Sequence, residues 1–331
     1  MKTILNDSKD PTFNLALEEY VLKHIDTKED IVMLWQNANS VIVGRNQNTY
    51  QEVNAQVVRE NDVKVVRRIT GGGAVYHDLG NLNFSFITKS SKDNINNYKK
   101  FTDPIIKALR TMGVPAEFQG RNDIVVEGKK ISGNAQAWYK DKMLHHGTIL
   151  FDVDLSFVAK VLNVKQDKIQ SKGIKSNRAR VTNIKPFLTR TLSMEEFKIE
   201  LLTNLMNSQK LDRDIIRLND NDIYEITKLQ QKKYSDSNWN YGESPTSSTI
   251  KEMRFPAGKI EFHFDVLAGC IKNIKLYGDF LDNGDIDVIL HALEGVPYDY
   301  DLISKTLNDI NAQNLIMNID NDQLLQCLFS N

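Results

Sequence analysis

The run Arg67-Arg68-Ile69-Thr70-Gly71-Gly72-Gly73-Ala74-Val75-Tyr76-His77-Asp78 restricts what this chain can fold into more than any other stretch. Three consecutive glycines are disfavoured in any regular element, because glycine loses more backbone entropy on ordering than other residues do. The same bareness lets backbone N–H groups approach a ligand closely, as in anion-cradling nests. Arg67 and Arg68 add permanent cations suited to phosphate or carboxylate. A lone Gly-Gly reads as a tight turn flanked by solvated charge. With two arginines before it and His77-Asp78 after it, this run reads as a ligand loop. It matches neither G-x-x-x-x-G-K-[ST] nor G-x-G-x-x-G, so the P-loop and dinucleotide-binding fingerprints are absent.

Around the loop the pattern is α+β. Short β-rich runs occur at Val41-Ile42-Val43, Val63 to Val66, Phe84-Ser85-Phe86-Ile87, Ile124-Val125-Val126 and Thr148-Ile149-Leu150-Phe151. Each is bounded by Gly, Asn or Asp, as strand ends usually are. Asp10-Pro11 predicts a helix start, with Phe13, Leu17, Tyr20, Val21 and His24 on one face. Thr102-Asp103-Pro104 predicts the opening of another helix, closed by Gly113. Ser193-Met194-Glu195-Glu196 is a capping box ahead of Phe197, Leu201, Leu202 and Leu205.

The 331 residues suit about two domains. The polar stretch Asn238 to Thr249, with Gly, Pro and Ser, reads as a linker. Beyond it Ile260, Phe262, Phe264 and Val266 alternate with Glu261, His263 and Asp265, predicting a half-buried strand. Ala268-Gly269 then turns the chain into Ile271 to Tyr277, and helices are expected at Ile289 to Leu293 and Leu302 to Ile310. The expected division is a large domain over 1–245 and a small α+β domain over 246–331.

Composition excludes several classes. With 42 Lys+Arg against 43 Asp+Glu the net charge is -1, which gives no global pull toward nucleic acid or anionic membrane. No apolar run approaches the ~18 residues of a bilayer span. Met1 to Asp7 turns polar before a signal-peptide core forms, so secretion is not expected. Cys270 and Cys327, the only cysteines, exclude a disulfide framework and a cysteine-ligated zinc site. A reducing, cytoplasmic setting is the expectation.

A second cluster joins Gly120-Arg121-Asn122-Asp123 to Gly128-Lys129-Lys130-Ile131-Ser132-Gly133-Asn134. Glu127-Gly128-Lys129 alone is a hairpin tip. The small residues directly afterwards suggest a backbone that something approaches, and a lysine there can serve as a point charge beside an acyl or phosphate oxygen. In His145-His146-Gly147-Thr148 adjacent strand residues point to opposite faces, so the histidines do not share one metal ion. They read as core or hydrogen-bonding groups, and no protein-ligated metal is assigned.

Taken together, the Arg67–Asp78 run, Trp35-Gln36, Val43-Gly44-Arg45-Asn46-Gln47-Asn48, Gly120-Arg121-Asn122-Asp123, Lys130-x-Ser132-Gly133 and the histidine pair resemble the lipoate–protein ligase A family. Phe255-x-x-Gly258-Lys259-Ile260-Glu261 and Gly278-Asp279-Phe280 resemble its small accessory domain. The resemblance implies a large mixed-sheet catalytic domain of the biotin/lipoyl ligase type followed by that accessory domain. It implies joining of lipoate to ATP as lipoyl-AMP with release of pyrophosphate. The acyl group then passes to one lysine of a lipoyl domain in 2-oxoacid dehydrogenase complexes or the glycine cleavage H protein.

By matching position, the family's ATP/adenylate contacts fall on Arg68, Gly73, Ala74, Val75, Tyr76, His77 and Asp123, and its lipoate contacts on Arg68, Gly72, Gly73, Lys130 and His146. Lys130 is the implied catalytic group, touching both the lipoyl carbonyl and the adenylate phosphate. It is preferred to Lys129 because it stands two residues before Ser132-Gly133. Trp35, Val43 and Phe84 are candidates for lining the apolar acyl slot. Mg²⁺ is expected to arrive with ATP, with Asp123 a candidate outer ligand. A monomer is expected, its small domain reorienting between half-reactions.

The nearest rival is an ATP-independent lipoyl or octanoyl transferase. Its acyl-cysteine has no counterpart before residue 270 here. A biotin ligase would need an arginine-interrupted glycine loop, which this chain lacks. A catalytically silent lipoate-binding protein would not require the complete signature with Lys130.

Overall fold

Two long strands, 129–139 and 142–150, joined by a turn at Lys140-Asp141, make a hairpin in the middle of the large sheet. In this computed structural model the described residues are 1–26, 28–91, 94, 96–163, 181–207, 214–241, 249–267 and 269–330. The strands are β1 (Lys2–Thr3), β2 (Ile31–Trp35), β3 (Ser40–Val43), β4 (Lys64–Arg67), β5 (Val75–His77), β6 (Asn81–Lys89) and β7 (Glu117–Gln119). After them come β8 (Asp123–Val126), β9 (Lys129–Tyr139), β10 (Lys142–Leu150), β11 (Thr249–Phe255), β12 (Gly258–Leu267) and β13 (Cys270–Gly278).

Two compact units result. The first comprises Met1–Ile42, Tyr50–Val66 and Val75–Asn240; the second comprises Val43–Thr49, Arg67–Ala74 and Tyr241–Asn331. The seven-stranded sheet of the first unit runs β1-β2-β6-β10-β9-β8-β7. Among the described strand pairs of this sheet β1 and β2 run parallel and the rest antiparallel, so the sheet is mixed, as expected. A smaller sheet, β4-β3-β5, pairs Val41 with Tyr76 and Ile42 with Val75.

Helix Pro11–His24 starts as the sequence predicts: Asp10 caps the Thr12 N–H and proline takes the first turn. The capping box of helix Met194–Met206 forms in full. One start is displaced. The helix expected to open at Thr102-Asp103-Pro104 begins at Tyr98, capped by Asn97, and Pro104 lies inside it. Tyr98 and Phe101 are buried, which draws an extra turn into the helix, and the Thr102 hydroxyl bonds the Tyr98 carbonyl at 3.1 Å. Phe101, Ile105 and Leu109 then pack with Phe84, Phe86, Ile124 and Ile149 in the first core.

In the second unit β11-β12-β13 is antiparallel. Helices Asp287–Leu293, Tyr300–Asp309 and Asn321–Leu328 contribute Ile289, Leu307 and Leu324 to a core with Phe262 and Phe264. The strand β12 forms, but the expected alternation fails at both ends of the pattern: Lys259, Glu261 and His263 are buried, and past a register shift between His263 and Asp265 the expected core residue Val266 is exposed. Glu261 lies between Lys259 and His263 and contacts both, so the buried carboxylate is partnered. Of the expected linker, residues 238–241 are helical (Ser237–Tyr241), whereas 242–248 lie outside the described residues. Among the described residues no helix is long and apolar enough to cross a membrane.

Candidate active site

In the first unit Lys130 stands at the start of β9, its Nζ 2.7 Å from Asp123 Oδ1 on β8. Both side chains are over a third exposed, so the ammonium is steered rather than entombed. Two neighbours explain the Lys-x-Ser-Gly spacing. A Cβ on Gly133 would sit 2.8 Å from Lys130 Nζ, so the glycine makes room for the ammonium. Ser132 Oγ accepts from Asn134, whose amide also donates to Asn122 O at 2.9 Å and so ties the Arg121-Asn122-Asp123 turn to β9.

The histidine pair divides as strand geometry requires. His145 is wholly buried, stacked on Phe101 at 4.9 Å, with its ring nitrogens bonded to Gln136 and Asn134. Burial, with the neighbouring His146 adding to it, pushes its pKa well below 6.5 and keeps the ring neutral. On the opposite face His146 Nδ1 meets Glu18 at 2.9 Å. Trp35 Nε1 donates to Ser85 Oγ at 2.8 Å, and Ser85 donates to the same Glu18 at 2.6 Å. Two of the residues expected at the acyl slot, Trp35 and His146, are thus joined by one buried chain. Sequence reasoning missed its middle members, Glu18 and Ser85. An acidic residue on the buried face of helix Pro11–His24 was the available signal. Phe84, also expected at the slot, is fully buried in the apolar core.

Tyr76 and His77 lie on β5. The Tyr76 hydroxyl donates to Asn39, and burial, with Asp78 and Asp154 nearby, raises its pKa to about 12. His77 Nδ1 bonds the Asn37 amide, while Asp78 accepts backbone N–H groups of Gly80 and Asp154. Val75 pairs with Ile42 beside them.

The glycine loop belongs to the second unit, and its arginines are used structurally. Arg67 donates to the carbonyls of Gly44, Arg45 and Gln47 and to the Thr49 hydroxyl, fixing the 44–49 loop. Burial lowers its pKa to about 10, partly offset by Tyr277, which leaves it charged at neutral pH. The expectation of Arg67 as a ligand cation thus gives way to a backbone staple. Arg68 donates to Thr70 Oγ1 and to the carbonyls of Gly71 and Gly73, and its own N–H reaches Val43 O. Arg68, Val43 and Gly71–Gly73 are therefore brought together.

The three glycines differ. Gly72 has φ +92°, which side chains rarely adopt. A Cβ on Gly71 would lie 2.5 Å from Asp282 Oδ1 and 2.8 Å from Phe280 O. At Gly73 a Cβ would meet no heavy atom within 4 Å, and the backbone there is not left-handed. No described residue of the chain requires glycine at that position.

Residues 10–206 match the lipoyl protein ligase A/B catalytic domain, and 244–328 match the bacterial lipoate protein ligase C-terminus. The chain is 44% identical over 321 residues to a lipoate-protein ligase of Bacillus subtilis, covering 97% of both chains. Among solved structures it is similar to P. falciparum LipL1 in complex with lipoate (TM-score 0.80, 29% identity, 98% of this chain and 97% of that one). It also resembles a lipoate-protein ligase A bound with ATP (TM-score 0.62, 28% identity, 73% of this chain and 98% of that one).

Proposed function

The chain belongs to the lipoate–protein ligase family and is an enzyme of the ligase class; from that premise we propose that it activates lipoate with ATP and transfers the lipoyl group to lysines of lipoyl domains. The observation that carries this is Gly73: nothing in the described chain fills the space its missing side chain leaves, as a loop approached by a ligand requires. Structures of relatives with lipoate and with ATP support the same pairing of substrates. In this reading 1–245 is the catalytic domain and 246–331 the accessory domain.

In the first step a lipoate carboxylate oxygen attacks the α-phosphorus of ATP. The α–β P–O bond breaks and pyrophosphate leaves. In the second the acceptor lysine's amine attacks the acyl carbon, an amide forms, AMP departs and the amine loses a proton. Negative charge develops on the phosphoryl oxygens first and on the acyl oxygen second, so positioning and electrostatics do most of the catalysis. Lys130, partly exposed and held near Asp123, is the group assigned to both oxygens. Arg68 and residues 72–77 are assigned to the nucleotide and acyl carboxyl. Trp35, Val43 and His146 are assigned to the acyl slot.

Mg²⁺ would neutralise phosphate charge. Among the described residues no cluster of three or more His, Cys, Asp or Glu forms. Asp123 fits the part of a single outer ligand, with phosphate oxygens and water holding the rest. The acceptors would be lipoyl domains of 2-oxoacid dehydrogenase complexes and the glycine cleavage H protein, met by a cytoplasmic monomer. Lipoate-dependent ATP–pyrophosphate exchange tests the proposal: label should enter ATP only when lipoate is present. Acyl transfer from one carrier protein to another without ATP would instead favour the transferase reading.

A further inference from the structure

The glycine loop is already engaged by another part of its own unit. Gly72 donates its N–H to the Phe280 carbonyl at 2.8 Å. Asp282, only 9% exposed, presses its Oδ1 against Gly71 so closely that no side chain fits there. Arg45, whose N–H reaches Thr70 O, pairs its guanidinium with Asp282 at 3.9 Å and Asp285 at 3.7 Å. A carbonyl oxygen thus takes up a glycine-loop N–H, and two carboxylates take up Arg45, a cation of the adjoining 44–49 segment that is tied to the loop through Thr70. Burial raises the pKa of Asp282 above the usual carboxylate value, and Arg45 and Arg68 offset part of that rise. A carboxylate so placed is stabilised by cations rather than by solvent, so it competes directly with another anion for them.

We propose that residues 280–285 are a built-in plug, in which the Phe280 carbonyl and the Asp282 carboxylate stand in for oxygens of the incoming acyl carboxylate or nucleotide phosphate and withdraw when that ligand binds. This rests on reading 71–74 as a ligand loop. The plug makes the loop competent only in the fraction of molecules where it is out, and the apparent affinity for substrate falls by that fraction. Weakening the plug therefore tightens substrate binding.

The test uses the full chain with Asp282→Asn and, separately, Asp285→Asn. Lipoate-dependent ATP–pyrophosphate exchange is read alongside hydrogen–deuterium exchange of peptides spanning 278–286. Asp282→Asn is expected to lower KM for ATP or lipoate about three- to tenfold at unchanged kcat. Asp285 is 62% exposed, so its variant keeps the fold and should shift KM the same way by a smaller factor. Adding ATP and lipoate to the wild type should raise deuterium uptake at 278–286. Raised or unchanged KM in both variants, or uptake at 278–286 that does not rise with substrate, overturns the plug. Failure of the parent reading looks different: the wild type itself shows no lipoate-dependent exchange, and the plug falls with it.

Discussion

Replacing Gly73 with alanine separates the needs of folding from those of the ligand. A Cβ there meets nothing within 4 Å and the backbone is not left-handed, so the methyl group introduces no clash. Alanine also restricts the unfolded chain, and at a compatible site that stabilises by about 0.4–1 kcal/mol. For a protein of this size the melting temperature should rise by about 1–3 °C. The neighbours behave oppositely. Gly72→Ala forces a side chain into the left-handed region at φ +92°, which costs about 1–2 kcal/mol. Gly71→Ala drives a methyl group into Asp282 and the Phe280 carbonyl. If 71–74 cradles the reacting groups, the Gly73 methyl shifts the ligand by about an ångström, enough to slow adenylation about a hundredfold. The assay is lipoate-dependent ATP–pyrophosphate exchange beside a thermal melt. A Gly73→Ala protein that melts at or above wild type yet exchanges within about twofold of it refutes the assignment of this loop to the ligand.

Lys130→Ala should abolish most adenylation, a loss on the order of a hundred- to a thousandfold, because one charge-stabilising donor disappears. Its ion pair with Asp123 is partly exposed, so stability should change by about 0–1 kcal/mol; wild-type-like pyrophosphate release counts against the role. Gly133→Ala should crowd Lys130 Nζ, reached at 2.8 Å, and lower kcat with little change in melting; an unaltered kcat shows the clearance to be dispensable. Glu18→Ala strips the acceptor from Ser85 and His146 and should destabilise by about 1–3 kcal/mol in urea unfolding, whereas a neutral outcome breaks the buried chain as drawn. His145 is neutral in the fold but protonates near pH 6.5 when unfolded, so its contribution is complete above that value and lost as pH falls below it. The slope approaches about 1.4 kcal/mol per pH unit, and His145→Gln should flatten it in pH-resolved denaturation.

Much of this was legible from local signals. Asp10-Pro11 and Ser193 to Glu196 behave as caps because capping is settled within one helical turn. The opposite orientations of His145 and His146 follow from strand geometry alone. The start at Tyr98 was not legible, because tertiary burial of Phe101 outweighs the boundary preference of Pro104. The polar face of β12 misled for a related reason. Lys259, Glu261 and His263 look like a solvated edge until their mutual pairing across residues is seen. Arg67 is the sharpest case. Its place beside Arg68 suggested a second ligand cation, but its acceptors at 44–49 lie some twenty residues upstream, and no local pattern announces that contact.

The second unit is assembled from three separate stretches of chain, 43–49, 67–74 and 241–331. During synthesis the first two emerge from the ribosome roughly two hundred residues before Phe280 and Asp282 do. Until then the signature loop has only its contacts with 43–49, where Arg67 holds the carbonyls of Gly44, Arg45 and Gln47 and Arg45 holds Thr70. A nascent chain halted near residue 245 would carry a finished large sheet and an unfinished loop. Ligand-loop order is thereby tied to arrival of the C-terminus, so only a fully made chain presents the loop in its final form.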